Sequence, residues 1–282
     1  KKIAKNWLEP KLRFFSLLSI LLVIQGFFTL PVFATEFYWE NPVSVSSGDS
    51  RFPAAANNHN GVSVVVWEEI VSSGKIYLSG KISYNNQWQN ISRFAGPYSY
   101  TGEVPNIFSV AINNKNQISI AVLSEKDTIS VFSTEDLGTT FTETKISHES
   151  NSLVAPRVFR TCNDDFLLFA TQGQNERFSL MTSNSQDGKS WSNFEIFLPS
   201  MEMQNAFVPT LIALDNKDLV VFQATFTYES RLSYQLYATE KQKDVFYWSD
   251  ATLITDKVSG QYPFTSYHNQ RPSLLQHEDK LY

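Results

Sequence analysis

The hydrophobic positions after residue 35 form short runs, and apolar residues there do not recur convincingly at the spacing of an amphipathic helix. Most runs alternate with polar residues or are rich in β-branched side chains, as is typical of strands. Clusters of Asn, Asp and Gly separate the runs and favour tight turns, because Asn and Asp side chains bond their own backbone. The pattern therefore predicts an all-β protein from residue 35 onward.

The predicted strands recur in a repeat that five prolines mark. Successive prolines stand 52, 51, 53 and 63 residues apart, at Pro53, Pro105, Pro156, Pro209 and Pro272. Each proline is expected to precede an apolar strand, a polar turn and a second apolar strand. The second strands are predicted over 62–67, 118–123, 166–170 and 219–224. This internal self-similarity is the main signal for the fold.

Each repeat holds two more predicted strands. The third strands are expected over 76–83, 128–133, 178–183 and 232–238, and the fourth begin at Trp88, Phe141, Trp191 and Trp248. Four strands per unit are typical of a β-propeller blade, and a solenoid of stacked units is the structural alternative. Residues 37–46 look like a fourth strand, so we predict that this N-terminal strand closes the last blade. We expect about six four-stranded antiparallel blades, continuing beyond residue 282.

A sharper motif stands before two of the fourth strands. Residues 134–141 match Ser/Thr-x-Asp-x-Gly-x-Thr-Trp/Phe at every defined position, and residues 185–191 are a variant one residue shorter. In such a turn the Asp and Ser/Thr oxygens accept from turn amides, glycine takes a positive φ, and the aromatic ring anchors the turn. The defining residues are Thr134, Asp136, Gly138, Thr140 and Phe141 in one motif, and Ser185, Asp187, Gly188 and Trp191 in the other.

These motifs resemble the Asp-box repeats of the sialidase-like propeller superfamily, and the resemblance covers residues 37–282. It implies that the boxes are structural and lie away from the binding face. Two repeats depart from the pattern: residues 84–88 keep only the aromatic anchor, while residues 239–248 are longer and contain no glycine. Because the same fold carries many functions, the boxes themselves do not supply a site.

The same resemblance indicates where a ligand would bind. Sialidases carry a Phe/Tyr-Arg-Ile-Pro element that opens the first blade, and Arg51 and Pro53 keep its arginine and proline at the right spacing. The sialidase mechanism also needs three arginines, a Tyr nucleophile with a Glu partner, and an Asp acid/base. The 69–75 segment, where that Asp is expected, contains none, and only Arg51 has a motif-like context. The catalytic residues are therefore unknown.

Further polar and aromatic residues are expected around the same axial face. Three charged residues stand beside later prolines of the repeat, and three aromatic or imidazole side chains lie in the loop of the longest interval. Such a loop suits stacking against a sugar. The candidate ligand-binding residues are Arg51, Glu103, Arg157, Arg271, Tyr262, Tyr267 and His268. The structural alternatives are an ordinary inter-blade ion pair or an exposed charge for Arg51, and a packed surface loop for the aromatic residues.

The first 34 residues have the character of a secretory signal peptide. Five Lys and Arg residues precede an uncharged apolar run over 14–30, and small residues then predict cleavage after Ala34. An uncleaved membrane anchor is the alternative. The segment also contains Glu9, so it contributes a charge of +4. Without it, the formal charge of −5 for the whole chain becomes −9 for the remainder. An acidic surface argues against nucleic acid or anionic lipid as the main partner.

We therefore expect an exported, non-catalytic propeller that binds a carbohydrate or another extracellular protein, as a sensor or adhesion part of a longer chain. A sialidase-type glycoside hydrolase acting on terminal sialic acids is the alternative, since Arg51 lies within an Asp-box propeller. The sequence contains no zinc motif, phosphate-binding glycine loop or Gly-x-Ser-x-Gly elbow. No metal and no cofactor are expected, and the mature segment is not expected to insert into a membrane.

Overall fold

The computed structural model describes residues 50–71, 75–85, 87–99, 108–125, 128–147, 152–174, 177–198, 205–228, 231–255, 272–274, 276–277 and 280–281. All regular elements in these stretches are β-strands. The same stretches contain no helix with the length and apolar character needed to cross a bilayer. The predicted signal segment and the 37–46 strand lie outside the described residues.

In the described stretches the strands form four consecutive antiparallel units of four strands each, and within a unit each strand pairs with the next one in the chain. Blade one contains β1 (Ser50–Asn57), β2 (Ser63–Ile70), β3 (Lys75–Tyr84) and β4 (Gln87–Ser99). Blade two contains β5 (Phe108–Ile112), β6 (Ile118–Glu125), β7 (Thr128–Thr134) and β8 (Thr142–Ser147). Blade three contains β9 (Ser152–Arg160), β10 (Phe166–Gln174), β11 (Arg177–Ser185) and β12 (Glu195–Ile196). Blade four contains β13 (Asn205–Ala213), β14 (Lys217–Tyr228), β15 (Arg231–Gln242) and β16 (Thr252–Leu253), and a short pair follows, β17 (Gln276–His277) with β18 (Lys280–Leu281).

The blades pack radially through their first strands. β1 contacts β5, β5 contacts β9, and β9 contacts β13. The predicted β-propeller of four-stranded antiparallel blades is therefore confirmed, while the number of six stays a prediction. Blades three and four also share one parallel pair, Phe178 with Asn205, which joins their sheets at a single point.

Among the described residues, the core consists of three hydrophobic clusters, one between each pair of successive blades. Strand β10 shows why. Leu168 and Ala170 pack toward blade two, whereas Leu167 and Phe169, which point the other way, pack toward blade four. Successive side chains of a strand face opposite sides of its sheet, so an all-apolar strand must be covered on both sides. Each blade is thus buried by its neighbours.

Three of the five repeat prolines lie inside first strands and not before them, which corrects the sequence prediction for these repeats. Pro53, Pro156 and Pro209 belong to β1, β9 and β13. The residue before each has a positive φ, 51° at Phe52, 52° at Ala155 and 51° at Val208, and the pairing register shifts there. Proline cannot donate to a ladder, so a β-bulge accommodates it.

The fourth strands agree with prediction in two blades only. β4 and β8 begin within one residue of Trp88 and Phe141, whereas β12 and β16 begin four residues after Trp191 and Trp248 and contain two residues each. In blade three, the Asn184 amide donates to Ser192 Oγ at 3.0 Å and the Ser183 hydroxyl donates to the Ser192 carbonyl at 2.6 Å. Serine side chains therefore replace part of the regular ladder after the aromatic anchor.

Candidate functional site

The two ends of the blades carry different chemistry. Strand β1 starts beside Arg51 and ends at the Asn58 turn, so these residues lie at opposite ends of blade one. Antiparallel pairing places the turns between third and fourth strands at the same end as Asn58. We call the end with Arg51 and Glu68 the upper end, and the end with Asn58 and Asp136 the lower end. The predicted ligand face corresponds to the upper end.

Arg51 and Glu68 form a cross-strand ion pair at the upper end. They are direct partners in β1 and β2, and Arg51 Nε lies 3.3 Å from Glu68 Oε2. The Glu68 side chain is 3% exposed and that of Arg51 is 28% exposed. Burial raises the pKa of the Glu68 carboxyl above its usual range, and the charge of Arg51 opposes that rise. The pair therefore joins a buried carboxylate to a cation that reaches the surface.

A second polar cluster, formed by Glu69, Arg93 and Ser79, lies on the opposite side of β2. Glu69 accepts hydrogen bonds from Arg93 at 3.2 and 2.7 Å and from Ser79 Oγ at 2.8 Å. These bonds, those of Arg93 first, lower the pKa of the Glu69 carboxyl. The Arg93 guanidinium also lies 5.2 Å from the centre of the Tyr77 ring. Adjacent glutamates thus have pKa values shifted in opposite directions, although they face different sides of blade one.

Sequence reasoning missed this second cluster. The sequence shows Glu68 and Glu69 at the end of an apolar run, but Arg93 does not belong to any recognisable motif. It reaches Glu69 because β4 is irregular there: Arg93 has a φ of 38° and the β3–β4 register shifts beside it. A bulge re-aims the side chains around it, and its position depends on pairing that a single sequence does not reveal.

Of the other predicted ligand-binding residues, only Arg157 belongs to the described stretches. Arg157 lies in β9, on blade three, with β5 of blade two between β9 and β1. It follows the bulge at Pro156, in the position that Ala54 has in β1, whereas Arg51 precedes its bulge. The predicted ligand-binding role of Arg157 stays a prediction. Glu103, Arg271, Tyr262, Tyr267 and His268 lie outside the described residues, and their predicted role stays a prediction.

The first box-like segment, residues 134–141, is a compact hydrogen-bonded turn at the lower end. Asp136 accepts from the Thr134 hydroxyl at 2.7 Å, from the Thr140 amide at 3.0 Å and from the Thr140 hydroxyl at 2.6 Å. The Gly138 amide donates to Thr134 Oγ1 at 3.0 Å, and Gly138 has a φ of 84°. The Thr134 and Thr140 bonds lower the pKa of the Asp136 carboxyl to about 2.

The second box-like segment, residues 185–191, repeats this arrangement. Asp187 accepts from the Lys189 amide at 2.8 Å and from the Ser190 amide at 2.7 Å, while the Gly188 amide donates to Ser185 Oγ at 2.8 Å. The Trp191 indole donates to the Gly188 carbonyl at 2.9 Å. Burial raises the pKa of Asp187, but the bonds from Ser190 and Lys189 outweigh it, so this pKa is lowered.

Both box-like turns press against the preceding blade. The Phe141 ring stacks on Phe94 of blade one, with ring centres 4.7 Å apart. In the next interface, the Ser133 hydroxyl of blade two donates to the Gly188 carbonyl at 2.5 Å, and Glu135 lies 2.9 Å from Lys189 Nζ. The oxygens of Asp136 and Asp187 are thus occupied by their own turns.

The lower end also contains a cleft between blades three and four, with a volume of 670 Å³.

Within the described stretches, no three His, Cys, Asp or Glu side chains converge in a way that could hold a metal ion.

Comparison with known proteins gives the fold. No family model and no curated protein matches the chain. Among solved structures, it is similar to a protein of unknown function from Dyadobacter fermentans, at 15% identity over 74% of this chain and 65% of that one, with a TM-score of 0.52. It also resembles an α-L-arabinofuranosidase from Fusarium graminearum, at 14% identity over 72% of this chain and 65% of that one, with a TM-score of 0.47.

A third similar structure is a Hadza microbial sialidase, at 11% identity over 71% of this chain and 46% of that one, with a TM-score of 0.45. The chain spans less than two thirds of the length of each of these three proteins. At such identities the likeness concerns the fold alone.

Proposed function

We propose that this chain forms an exported β-propeller domain that binds a ligand at its upper end without catalysing a reaction. The ligand is a carbohydrate or a surface of another extracellular protein, and the domain serves as a sensor or adhesion part of a longer protein. The Arg51–Glu68 pair carries the proposal. It places an ion pair where the first strands of the blades begin, and charged groups beside a rigid scaffold are common in binding sites.

The charge balance of the pair supports binding over acid–base chemistry. An arginine that clamps a substrate carboxylate needs its fork of donors directed at that group. Here Glu68 lies 3.3 Å from Arg51 Nε and compensates its charge within the protein. The site therefore offers a partly exposed guanidinium whose electrostatic pull on an anion is reduced. Such a group suits hydroxyl, amide or backbone carbonyl acceptors.

The proposal is tested by screening the full chain against an array of neutral and acidic glycans and then comparing variants. The double variant Arg51→Met/Glu68→Gln removes both charges together, so that no unpaired charge stays buried. We expect it to lose the binding found in the screen. Arg160→Met is the matched control, because Arg160 pairs with Asp164 at the lower end. Binding that survives the double variant would contradict the proposal.

The second candidate is a sialidase-type hydrolase. It is favoured by one observation: Arg51 precedes the β-bulge at Pro53 in the first strand of the first blade, where the resemblance puts a substrate-binding arginine. Hydrolysis of a fluorogenic sialoside by the full chain, lost in the Arg51 double variant, would favour this function over non-catalytic binding.

A further inference from the structure

The cleft between blades three and four lies beside a turn that lacks the box-like motif. In blades two and three, the turn between the third and fourth strands presses against the preceding blade through Gly138 and Gly188. The corresponding turn of blade four follows β15 and contains no glycine. Its backbone bonds within its own blade, from the Lys243 amide to the Asn216 carbonyl at 2.7 Å. A cleft of 670 Å³ lies between this turn and blade three. Small-molecule sites range from about 300 to 1,000 Å³, so its size suits a ligand.

The walls of the cleft are mainly amide, hydroxyl and carboxylate groups. Asn163 and Ser190 come from two turns of blade three, Asn184 comes from the end of β11, and Lys241 comes from the end of β15. They offer hydrogen-bond donors as well as acceptors. Where a rigid scaffold brings such groups together in a concavity, they fix the orientation of a ligand.

The charges of the cleft are partly compensated within the protein. Asp187 is occupied by the amides of its own turn. Asp165 is half-buried, which raises its pKa, while the charges of Lys115 and Lys241 oppose that rise. Lys241 Nζ also lies 5.3 Å from the centre of the Trp248 ring. A strongly anionic ligand would meet the carboxylates of Asp165, Asp187 and Asp244, and a strongly cationic one would meet Lys241. A neutral ligand avoids both repulsions.

An aromatic ring completes the cleft. Phe246 lines it and is 100% exposed. A large apolar side chain that is held fully in water contributes nothing to the core, and it can cover the apolar face of a ligand. The C–H face of a pyranose is such a surface, because its hydroxyls project around the ring edge and leave the face apolar. The polar walls then stand where the hydroxyls would lie.

We propose that this cleft is a second binding site, at the lower end of the propeller, for a neutral saccharide whose sugar ring stacks on Phe246 while its hydroxyls bond to Asp165, Asn163 and Ser190. The site is independent of the proposed upper-end function. It uses other residues on other blades, and it lies on the side that box-like turns occupy in blades two and three.

The test is isothermal titration calorimetry of the full chain with cello-, xylo-, manno- and arabino-oligosaccharides, and with oligogalacturonate as the anionic probe. We expect at least one neutral oligosaccharide to bind and oligogalacturonate to bind more weakly. Phe246→Ala should weaken the neutral probe about tenfold. Tyr247→Ala, which removes an adjacent ring that is 75% exposed and not part of the cleft wall, should leave binding unchanged.

A second pair of variants tests the polar wall. Asp165→Asn should weaken the same probe, whereas Asp215→Asn, an exposed turn residue of blade four, should not. The proposal is overturned if no neutral probe binds at millimolar concentration, if oligogalacturonate binds most tightly, or if Phe246→Ala and Tyr247→Ala act equally. It is also overturned if binding is lost in Arg51→Met/Glu68→Gln and kept in Phe246→Ala, because the saccharide then occupies the upper end.

Discussion

The side-chain amide of Asn58 joins blade one to blade two by donating to the backbone carbonyl of Asn113 at 2.8 Å and to Asn116 Oδ1 at 2.8 Å. Its own Oδ1 accepts from the amides of Asn60 and Val62, both at 3.0 Å. Asn58 is buried. One side chain therefore closes its own turn and also binds the neighbouring turn.

Asn58→Ala should lower the free energy of unfolding by about 1–3 kcal/mol, because it leaves buried partners without hydrogen bonds. Urea denaturation followed by tryptophan fluorescence measures the change. The exposed neighbour Asn57 serves as control, and Asn57→Ala should stay within about 0.5 kcal/mol of the parent. Equal effects of the two substitutions would show that the bonds between the turns do not stabilise the protein.

Gly138→Ala should destabilise the protein more than Gly61→Ala. Both glycines have positive φ values, 84° and 74°. A Cβ at Gly61 would meet nothing within 4 Å, whereas a Cβ at Gly138 would lie 3.0 Å from Ile82 Cδ1 and 3.0 Å from Ile91 Cγ1. We expect about 1–2 kcal/mol for the backbone cost at each site and about 1–3 kcal/mol more for overpacking at Gly138.

Thermal or urea unfolding of the two glycine variants separates these effects. Gly61→Ala reports the conformational cost alone, and the difference between the variants reports the contact between the box-like turn and blade one. A Gly138→Ala variant no less stable than Gly61→Ala would mean that this contact adapts without cost.

Protonation of the Asp136 carboxylate should make the protein less stable in acid. Its folded pKa of about 2 lies below the ordinary value of 3.8, so its hydrogen bonds stabilise the folded state above pH 3.8. That contribution is lost as the pH falls through the folded value. The stability difference between the parent and Asp136→Asn should therefore narrow between pH 3.8 and about 2. Urea midpoints across this range measure it, and a constant difference would be the contrary result.

Arg51→Met should strengthen the pH dependence that Glu68 gives to the upper end. The substitution removes the cation 3.3 Å from a buried carboxylate, and we expect a loss of about 2 kcal/mol or more at neutral pH. Without this opposing charge, the already raised pKa of Glu68 should rise further. A folded pKa above the unfolded value means that the charged form destabilises the fold, so the variant should recover stability as the pH falls through that pKa.

The double variant Arg51→Met/Glu68→Gln controls for this effect. It cannot ionise at position 68, so its stability relative to the parent should not improve in the same way on acidification. Urea unfolding from pH 7 to pH 5 compares the three proteins. If the single and double variants respond alike, Glu68 is not the group that titrates.

Local sequence signals predicted much of the fold. The polar turns at the lower end place Gly61, Asn116 and Asp164 in the left-handed region, with φ values of 74°, 63° and 65°. These are residue types that tolerate it, and the alternating apolar runs gave the second and third strands within a few residues. Such features depend on residues that are close together in the chain, so they can be predicted from a single sequence.

The features that the sequence did not predict depend on contacts between strands. Proline before an apolar run looks like the start of a strand, but Pro156 lies within β9 because a bulge absorbs its missing donor. Arg93 meets Glu69 only through the irregular β3–β4 register. Phe246 and Trp248 are close in sequence, yet one ring is fully exposed and the other packs against Phe197. The candidate site was therefore less predictable than its scaffold.

The box-like turns give the propeller a direction of assembly. The turn of blade two rests on Ile82 and Ile91 of blade one, and that of blade three is held by Ser133 of blade two. In both cases the fastening reaches toward the blade synthesised earlier. During synthesis from the N-terminus, the chain of each docking surface therefore leaves the ribosome before the turn that packs on it.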